Sequence, residues 1–165
     1  MKLARIIRHL VTPAWRRRQL FPAASLSRIQ QAIRAAERKH RGEIRFAVET
    51  ALDLVPLVRG VSARARAVEV FANLRVWDTE ENNGVLIYLL LADRDVEIVS
   101  DRGIHKHVGT AGWERICRAM EEQFRAGQFE RGVLYGITQV SEQLVRHFPG
   151  PDRRGDELPD KPILL

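Results

Sequence analysis

The apolar run Val85-Leu86-Ile87-Tyr88-Leu89-Leu90-Leu91, opened by Asn83-Gly84 and closed by Ala92-Asp93-Arg94, constrains this chain more than any other stretch. It is far shorter than the roughly 20 apolar residues a membrane-spanning helix needs. It also lacks polar alternation, so a strand built from it must be covered on both faces, as in a sheet sandwiched between helices. The run therefore predicts a central strand. Asp93-Arg94 supplies a tight turn, and Val96-Glu97-Ile98 alternates as an antiparallel partner ending near Ser100.

Helical periodicity surrounds that hairpin. Leu26, Ile29, Ile33 and Ala36 fall on one face of a helix running from Ser25 or Ser27 to about Arg41, with Gly42 as its stop. Ile44, Phe46 and Val48 mark a strand over 43–50 and open a β-α-β unit. Residues 52–60, with Pro56, read as a crossing loop, and Ser62 caps a helix carrying Ala65, Val68, Phe71 and Ala72. Two further helices are predicted, from Thr110 to about Ala126 and from Phe129 to His147, separated by Gly127. Trp113, Ile116, Cys117, Met120 and Phe124 have the spacing of a core face. From Pro149 onward no core-forming period remains, so residues 149–165 are expected to be a flexible tail.

These elements predict an α/β fold, a three-layer α/β/α sandwich. Its small mixed sheet combines a parallel β-α-β unit with an antiparallel hairpin. At 165 residues, 45% hydrophobic and 29% charged, the chain suffices for one core without staples. The lone Cys117 has no partner for an internal disulfide, which together with the absence of a signal-peptide pattern at the N-terminus points to the cytoplasm.

The net charge of +6 is confined to one segment. Lys2, Arg5, Arg8, Arg16, Arg17 and Arg18 precede Phe21, and the first acid is Glu37. Those six residues equal the whole excess, so the body beyond them is formally neutral and no nucleic-acid-binding surface is expected. Leu3, Ile6, Ile7, Leu10 and Val11 share a helical face, and Trp15 adjoins the arginine triplet. Residues 1–19 thus form a basic amphipathic segment. Arg5, Arg8, Trp15, Arg16, Arg17 and Arg18 are its candidate contacts with a protein partner or an anionic membrane surface, peripheral to the inner membrane.

The order Asn82-Asn83-Gly84-Val85-Leu86-Ile87, then Asp93-Arg94, then Arg125-Ala126-Gly127-Gln128-Phe129-Glu130-Arg131-Gly132 resembles the TPM-domain family over residues 20–148. The resemblance implies the same three-layer fold. For function it implies calcium binding, phosphatase activity or an accessory role in a membrane assembly. The family's acidic site draws on an Asn-Asp segment before the first helix, where this chain reads Phe21-Pro22-Ala23-Ala24-Ser25.

The predicted topology brings the loop leading into the central strand and the end of its partner to one edge. Asp78, Thr79, Glu80, Glu81, Asn82 and Asn83 there meet Asp101, Arg102, His105 and His107. Carboxylate and amide oxygens suit a hard cation, so Asp78, Glu80, Asn82 and Asp101 are the candidate ligands for Ca²⁺ or Mg²⁺. The first functional reading is an accessory or interaction domain with such a site. The alternative is a metal-assisted phosphatase acting on phosphomonoesters, with His105 as general acid.

Overall fold

In the computed structural model, which describes residues 2–151 and 157–165, the run at 84–90 is an interior strand buried along its whole length. The elements are α1 (Lys2–Leu10), α2 (Trp15–Leu20), α3 (Ala23–Glu37), β1 (Glu43–Glu49), α4 (Leu54–Val58), α5 (Ala63–Asn73), β2 (Gly84–Leu90), β3 (Asp95–Ser100), α6 (Arg102–Arg125), α7 (Phe129–His147) and β4 (Ile163–Leu164). The strand order is β3-β2-β1-β4. β1 runs parallel to β2 with Glu43 opposite Gly84, and β2 and β3 form the antiparallel hairpin with Ile87 opposite Ile98.

The absence of alternation in β2 has the expected cause. Val85, Ile87 and Leu89 join α3, α6 and α7 in one core, while Leu86, Tyr88 and Leu90 join Leu57 of α4 and Ala63, Ala67 and Val70 of α5 in another. Each fully buried aliphatic side chain contributes about 1.5–3 kcal/mol, so the sheet is secured from both sides. The expected sandwich is present, and Trp113, Ile116, Cys117, Met120 and Phe124 line the first core.

The glycine-rich link between α6 and α7 is explained by close approach. A Cβ on Gly132 would lie 2.5 Å from the Phe124 ring, and one on Gly136 would lie 2.4 Å from Met120 Sδ. The two helices can meet only where these side chains are missing.

β1 is buried at every position, although it carries Glu43, Arg45 and Glu49. Its charged residues alternate with those of the first core; the two glutamates are hydrogen-bonded, while Arg45 Nε and Nη1 have no hydrogen-bond partner among the described residues. Glu49 accepts two hydrogen bonds from Arg66, at 2.9 and 3.0 Å, and one from the Tyr88 hydroxyl at 2.6 Å. Glu43 accepts from the main-chain N–H groups of Glu157 and Leu158. These hydrogen bonds offset the cost of burying the two carboxylates.

Three expectations are corrected. The C-terminal stretch was expected to be flexible. Its residues 152–156 lie outside the described residues, but 157–165 are docked, because the outer edge of β1 has main-chain groups to satisfy. Ile163 and Leu164 pair parallel to Ala47 and Val48, and the buried Asp160 takes Arg34 at 3.0 Å. The crossing loop contains a short helix, α4, across Pro56. The helix predicted from Thr110 begins at Arg102, because Asp101 caps it by accepting the Arg102 N–H. Gly109, at φ 69° and ψ 169°, interrupts the helix and hides its first turns from a periodicity reading. His105 and His107 are therefore helical, where a loop was expected.

Candidate functional site

The loop leading into β2 and the end of β3 do meet at one edge of the sheet. The Asp101 N–H donates to Gly84 O at 2.9 Å, and Arg102 Nε donates to Asn82 Oδ1 at 3.2 Å. The contact is so close that a Cβ on Gly103 would fall 2.4 Å from Asn82 O and 2.6 Å from Glu81 O. β1 begins beside them. Asn83 Nδ2 donates to Arg41 O at 2.8 Å, and Arg41 Nε donates to Glu81 at 2.9 Å. Thr79 Oγ1 accepts the Asn83 N–H, closing the turn that the Asn-Asn-Gly sequence requires.

The polar groups at this edge are largely spoken for. Asp78 is exposed and pairs with Arg75 at 3.2 Å, Asn82 holds Arg102, and one oxygen of Asp101 caps α6. Asp101 Oδ2 is buried without a hydrogen-bond partner among the described residues. Among those residues no three His, Cys, Asp or Glu side chains are grouped so as to hold a metal ion. His105 Nδ1 lies 3.3 Å from Ser100 Oγ, and the His107 ring stacks on that of His147 with centroids 4.3 Å apart. His40, fully buried, accepts the Gly42 N–H on Nδ1, and burial pushes its pKa down to about 4. Burial likewise pushes the Cys117 thiol up to about 12, with the Ile98 N–H opposing, so it is no thiolate nucleophile at neutral pH.

The N-terminal segment occupies the opposite edge and is oriented against expectation. Arg5 Nε donates to Asp93 Oδ2 at 2.9 Å and its Nη1 to Val61 O at 2.8 Å. Arg8 also binds Asp93, and His9, fully buried, accepts the Leu52 N–H at 2.9 Å. Arg5 and Arg8 were expected to face a partner or lipid; they face the domain instead.

The apolar stripe consequently points outward. Leu3, Ile7, Leu10 and Val11 are 51–70% exposed, as is Trp15 on α2 at 62%. α1 lies against α4, which adds Leu54, Val55 and Val58 at 51–62% exposure. Ile6 alone of the stripe packs partly inward, on the second core. Of the arginine triplet, Arg17 is drawn to Leu165 O at 2.6 Å, Arg16 is half-buried and Arg18 is exposed. The sequence reading missed α4's share of this face. The available signal was Leu54-Val55-Pro56-Leu57-Val58, apolar throughout in a stretch read as a loop. Among the described residues no helix is long and apolar enough to cross a membrane.

The family model described as TPM domain matches residues 15–143. The solution structure of the BA42 protein from the psychrophilic bacterium Bizionia argentinensis is similar, at 32% identity over 88% of this chain and 95% of that one, with a TM-score of 0.76. The N-terminal domain of a protein from P. gingivalis shares the fold at 19% identity, over 78% of this chain and 79% of that one, with a TM-score of 0.65. No curated protein matches. The matched family model covers most of the chain, and the loop, hairpin and glycine-bearing helix link found in the sequence occupy the places described above: this chain belongs to the TPM domain family.

Proposed function

We propose that this TPM domain is an accessory module that seats on an anionic membrane surface through the face formed by α1, α2 and α4. One observation carries the reading: α1 turns Arg5, Arg8 and His9 to Asp93 and its apolar stripe to solvent. A helix docked only for stability does the reverse, because each exposed aliphatic side chain forgoes about 1.5–3 kcal/mol of burial. A face carrying Leu3, Ile7, Leu10, Val11, Leu54, Val55 and Val58 exceeds the scattered apolar exposure of ordinary surfaces. Trp15 beside Arg16 and Arg18 suits the headgroup region, where each basic residue gains about 1 kcal/mol from anionic lipid.

Co-sedimentation with vesicles tests this reading. Binding is expected to vesicles containing phosphatidylglycerol, to weaken with salt, and to be lost in Ile7→Glu combined with Val58→Glu. Binding that is unchanged in that variant overturns it. So does a stable dimer that disappears in the same variant, since the face would then belong to a protein interface.

A second reading concerns the opposite edge. The orphaned Asp101 Oδ2, two residues before the Gly103 that the Glu81 and Asn82 carbonyls crowd, supports a hard-cation site for Ca²⁺ or Mg²⁺. Asp78 and Asn82 would have to leave Arg75 and Arg102 to join it, with Glu80 as the remaining ligand. Calorimetry with each ion on the protein and on Asp101→Ala decides it, and absence of heat in both proteins removes the site. The phosphatase alternative, with His105 as general acid, requires p-nitrophenyl phosphate turnover that is lost in Asp78→Ala with Asp101→Ala.

A further inference from the structure

We propose that the cleft between the outer edge of β3 and α6 binds an extended peptide segment bearing a lysine or arginine side chain. Among the described residues β3 has no strand on its outer side. The bond from the Asp101 N–H to Gly84 O fixes the ladder phase, so Asp95, Glu97 and Val99 turn their main-chain groups to β2, and Val96 and Ile98 turn theirs outward. Ile98 is occupied: its carbonyl accepts Arg64 Nη1 at 2.7 Å, and its N–H faces the Cys117 sulfur. The stretch left for an added strand is the Val96 end, which opens on a cavity of about 390 Å³ floored by Val96, Trp113 and Cys117.

Two unmet requirements in this cavity specify the ligand. The first is negative charge. Glu97 pairs with Arg64, Glu114 with Arg118 and Glu121 with Arg125 at 3.6 Å, but Asp95 has no ion-pair partner among the described residues. Burial pushes its carboxyl up to about 6. Glu97 on its own strand, Glu121 on α6 and Asp93 in the turn add to that rise, and Arg5 on α1 opposes it. A cation placed there relieves the repulsion. The second is a hydrogen-bond donor. Trp113 is 3% exposed, and its indole N–H is buried with no acceptor among the described residues. A peptide carbonyl supplies that acceptor, which a simple amine or metal ion does not. Strand addition to Val96, a basic side chain against Asp95 and Glu121, and a carbonyl on Trp113 are met together by one ligand class.

The probe is the capped peptide Val-Arg-Val-Arg-Val, titrated into the isotopically labelled full chain and followed by nuclear magnetic resonance. Shifts are expected at the Val96 amide and at the Trp113 indole N–H, with affinity rising as the pH passes upward through about 6 and Asp95 ionises. Asp95→Asn with Glu121→Gln is expected to weaken binding at least about tenfold, on the scale of one charge-assisted contact. That variant removes an unfavourably buried charge and should fold, and Trp113→Phe checks the donor separately. Equal binding of Val-Glu-Val-Glu-Val, shifts confined to other surfaces, or unchanged affinity in the double variant each overturns the proposal. Concentration-dependent shifts at Val96 without peptide also overturn it, in favour of a second copy of this chain.

Discussion

His9 Nε2 stands 3.1 Å from Asp93 Oδ1, joining the N-terminal helix to the hairpin turn through an imidazole with no solvent exposure. Its Nδ1 accepts the Leu52 N–H, so the ring proton resides on Nε2, on the side of the carboxylate. Arg5 and Arg8 complete the set around one carboxylate. Burial alone would raise the Asp93 pKa, but the hydrogen bonds from Arg5 and Arg8, with the nearby His9 ring, outweigh it and hold it below the ordinary carboxylate value. A depressed folded-state pKa stabilises at neutral pH, and that contribution disappears as pH falls below the ordinary value of 3.8 and through the folded one.

Asp93→Ala is therefore expected to release α1 from the domain at a cost of about 2 kcal/mol, within the usual range for a partly buried, charge-assisted cluster. Hydrogen exchange should accelerate across 3–10 while β2 remains protected. Uniform loss of protection would show that the cluster sustains the whole fold and not the docking of one helix.

The second pH-dependent cluster lies under the docked C-terminal segment. Burial, followed by hydrogen bonding to Asp160, pushes the Glu37 carboxyl up to about 10, while the Ile44 N–H donated to Oε1 opposes the rise. Glu37 is thus held in its protonated form at neutral pH. The sign is opposite to that of Asp93: the folded pKa is raised, so stability is greatest below the ordinary value of 4.5 and declines as pH climbs toward 10. Glu37→Gln mimics the protonated acid. Urea midpoints measured from acid to alkaline pH should be flatter in the variant and higher than those of the parent on the alkaline side. A midpoint that falls at all pH values would mean that Glu37 is ionised.

The residues that were legible in the sequence are those whose neighbours are local or whose pattern admits one answer. Val85 to Leu91 could only be a strand with both faces covered, and Asp93-Arg94 could only fold it back. Thr110 was taken for a helix start because Gly109 breaks the spiral, which severed His105 and His107 from the helix they share with Trp113. Ile163 and Leu164 gave no signal, since two apolar residues become a strand only when a distant edge, that of β1, offers them main-chain partners. The apolar stripe of α1 was visible, but not its direction. That direction depends on Asp93, which is 85 residues from Arg8.

Beside the second core, Glu49, Arg66 and Tyr88 form a network, extended by Glu69 on Arg66, whose parts should not be equal. Tyr88→Phe removes one donor from a carboxylate that keeps both arginine bonds, so a loss of about 1 kcal/mol is expected. Glu49→Ala leaves half-buried Arg66 with only the exposed Glu69, at 3.0 Å, and the Tyr88 hydroxyl without its acceptor, and about 3 kcal/mol is expected. Burial, then the bond to Glu49, holds the Tyr88 phenol far above its ordinary range. The absorbance step of the folded protein in alkali should therefore be the same in Tyr88→Phe. Equal destabilisation by the two variants would indicate that packing of the ring, and not the network, is what they share.

Gly84 tests why the family-like turn needs its glycine. Its conformation is ordinary, but a Cβ there would lie 2.0 Å from Val76 O, a main-chain atom of a fully buried residue whose N–H is bound to Phe71 O at 3.1 Å. Neither side can yield without moving the end of α5 or the start of β2, and the displaced Gly84 O would lose the Asp101 N–H. Gly84→Ala should therefore cost about 3 kcal/mol, at the upper end for overpacking. Gly127 is the control: at φ +76° it has open space around it, so alanine there bears only the backbone penalty of about 1–2 kcal/mol. In Gly84→Ala the Arg102 Nε resonance should also shift, because its acceptor Asn82 sits on the displaced loop. If the two alanine variants lose the same stability and Arg102 is undisturbed, close approach is not what the glycine serves.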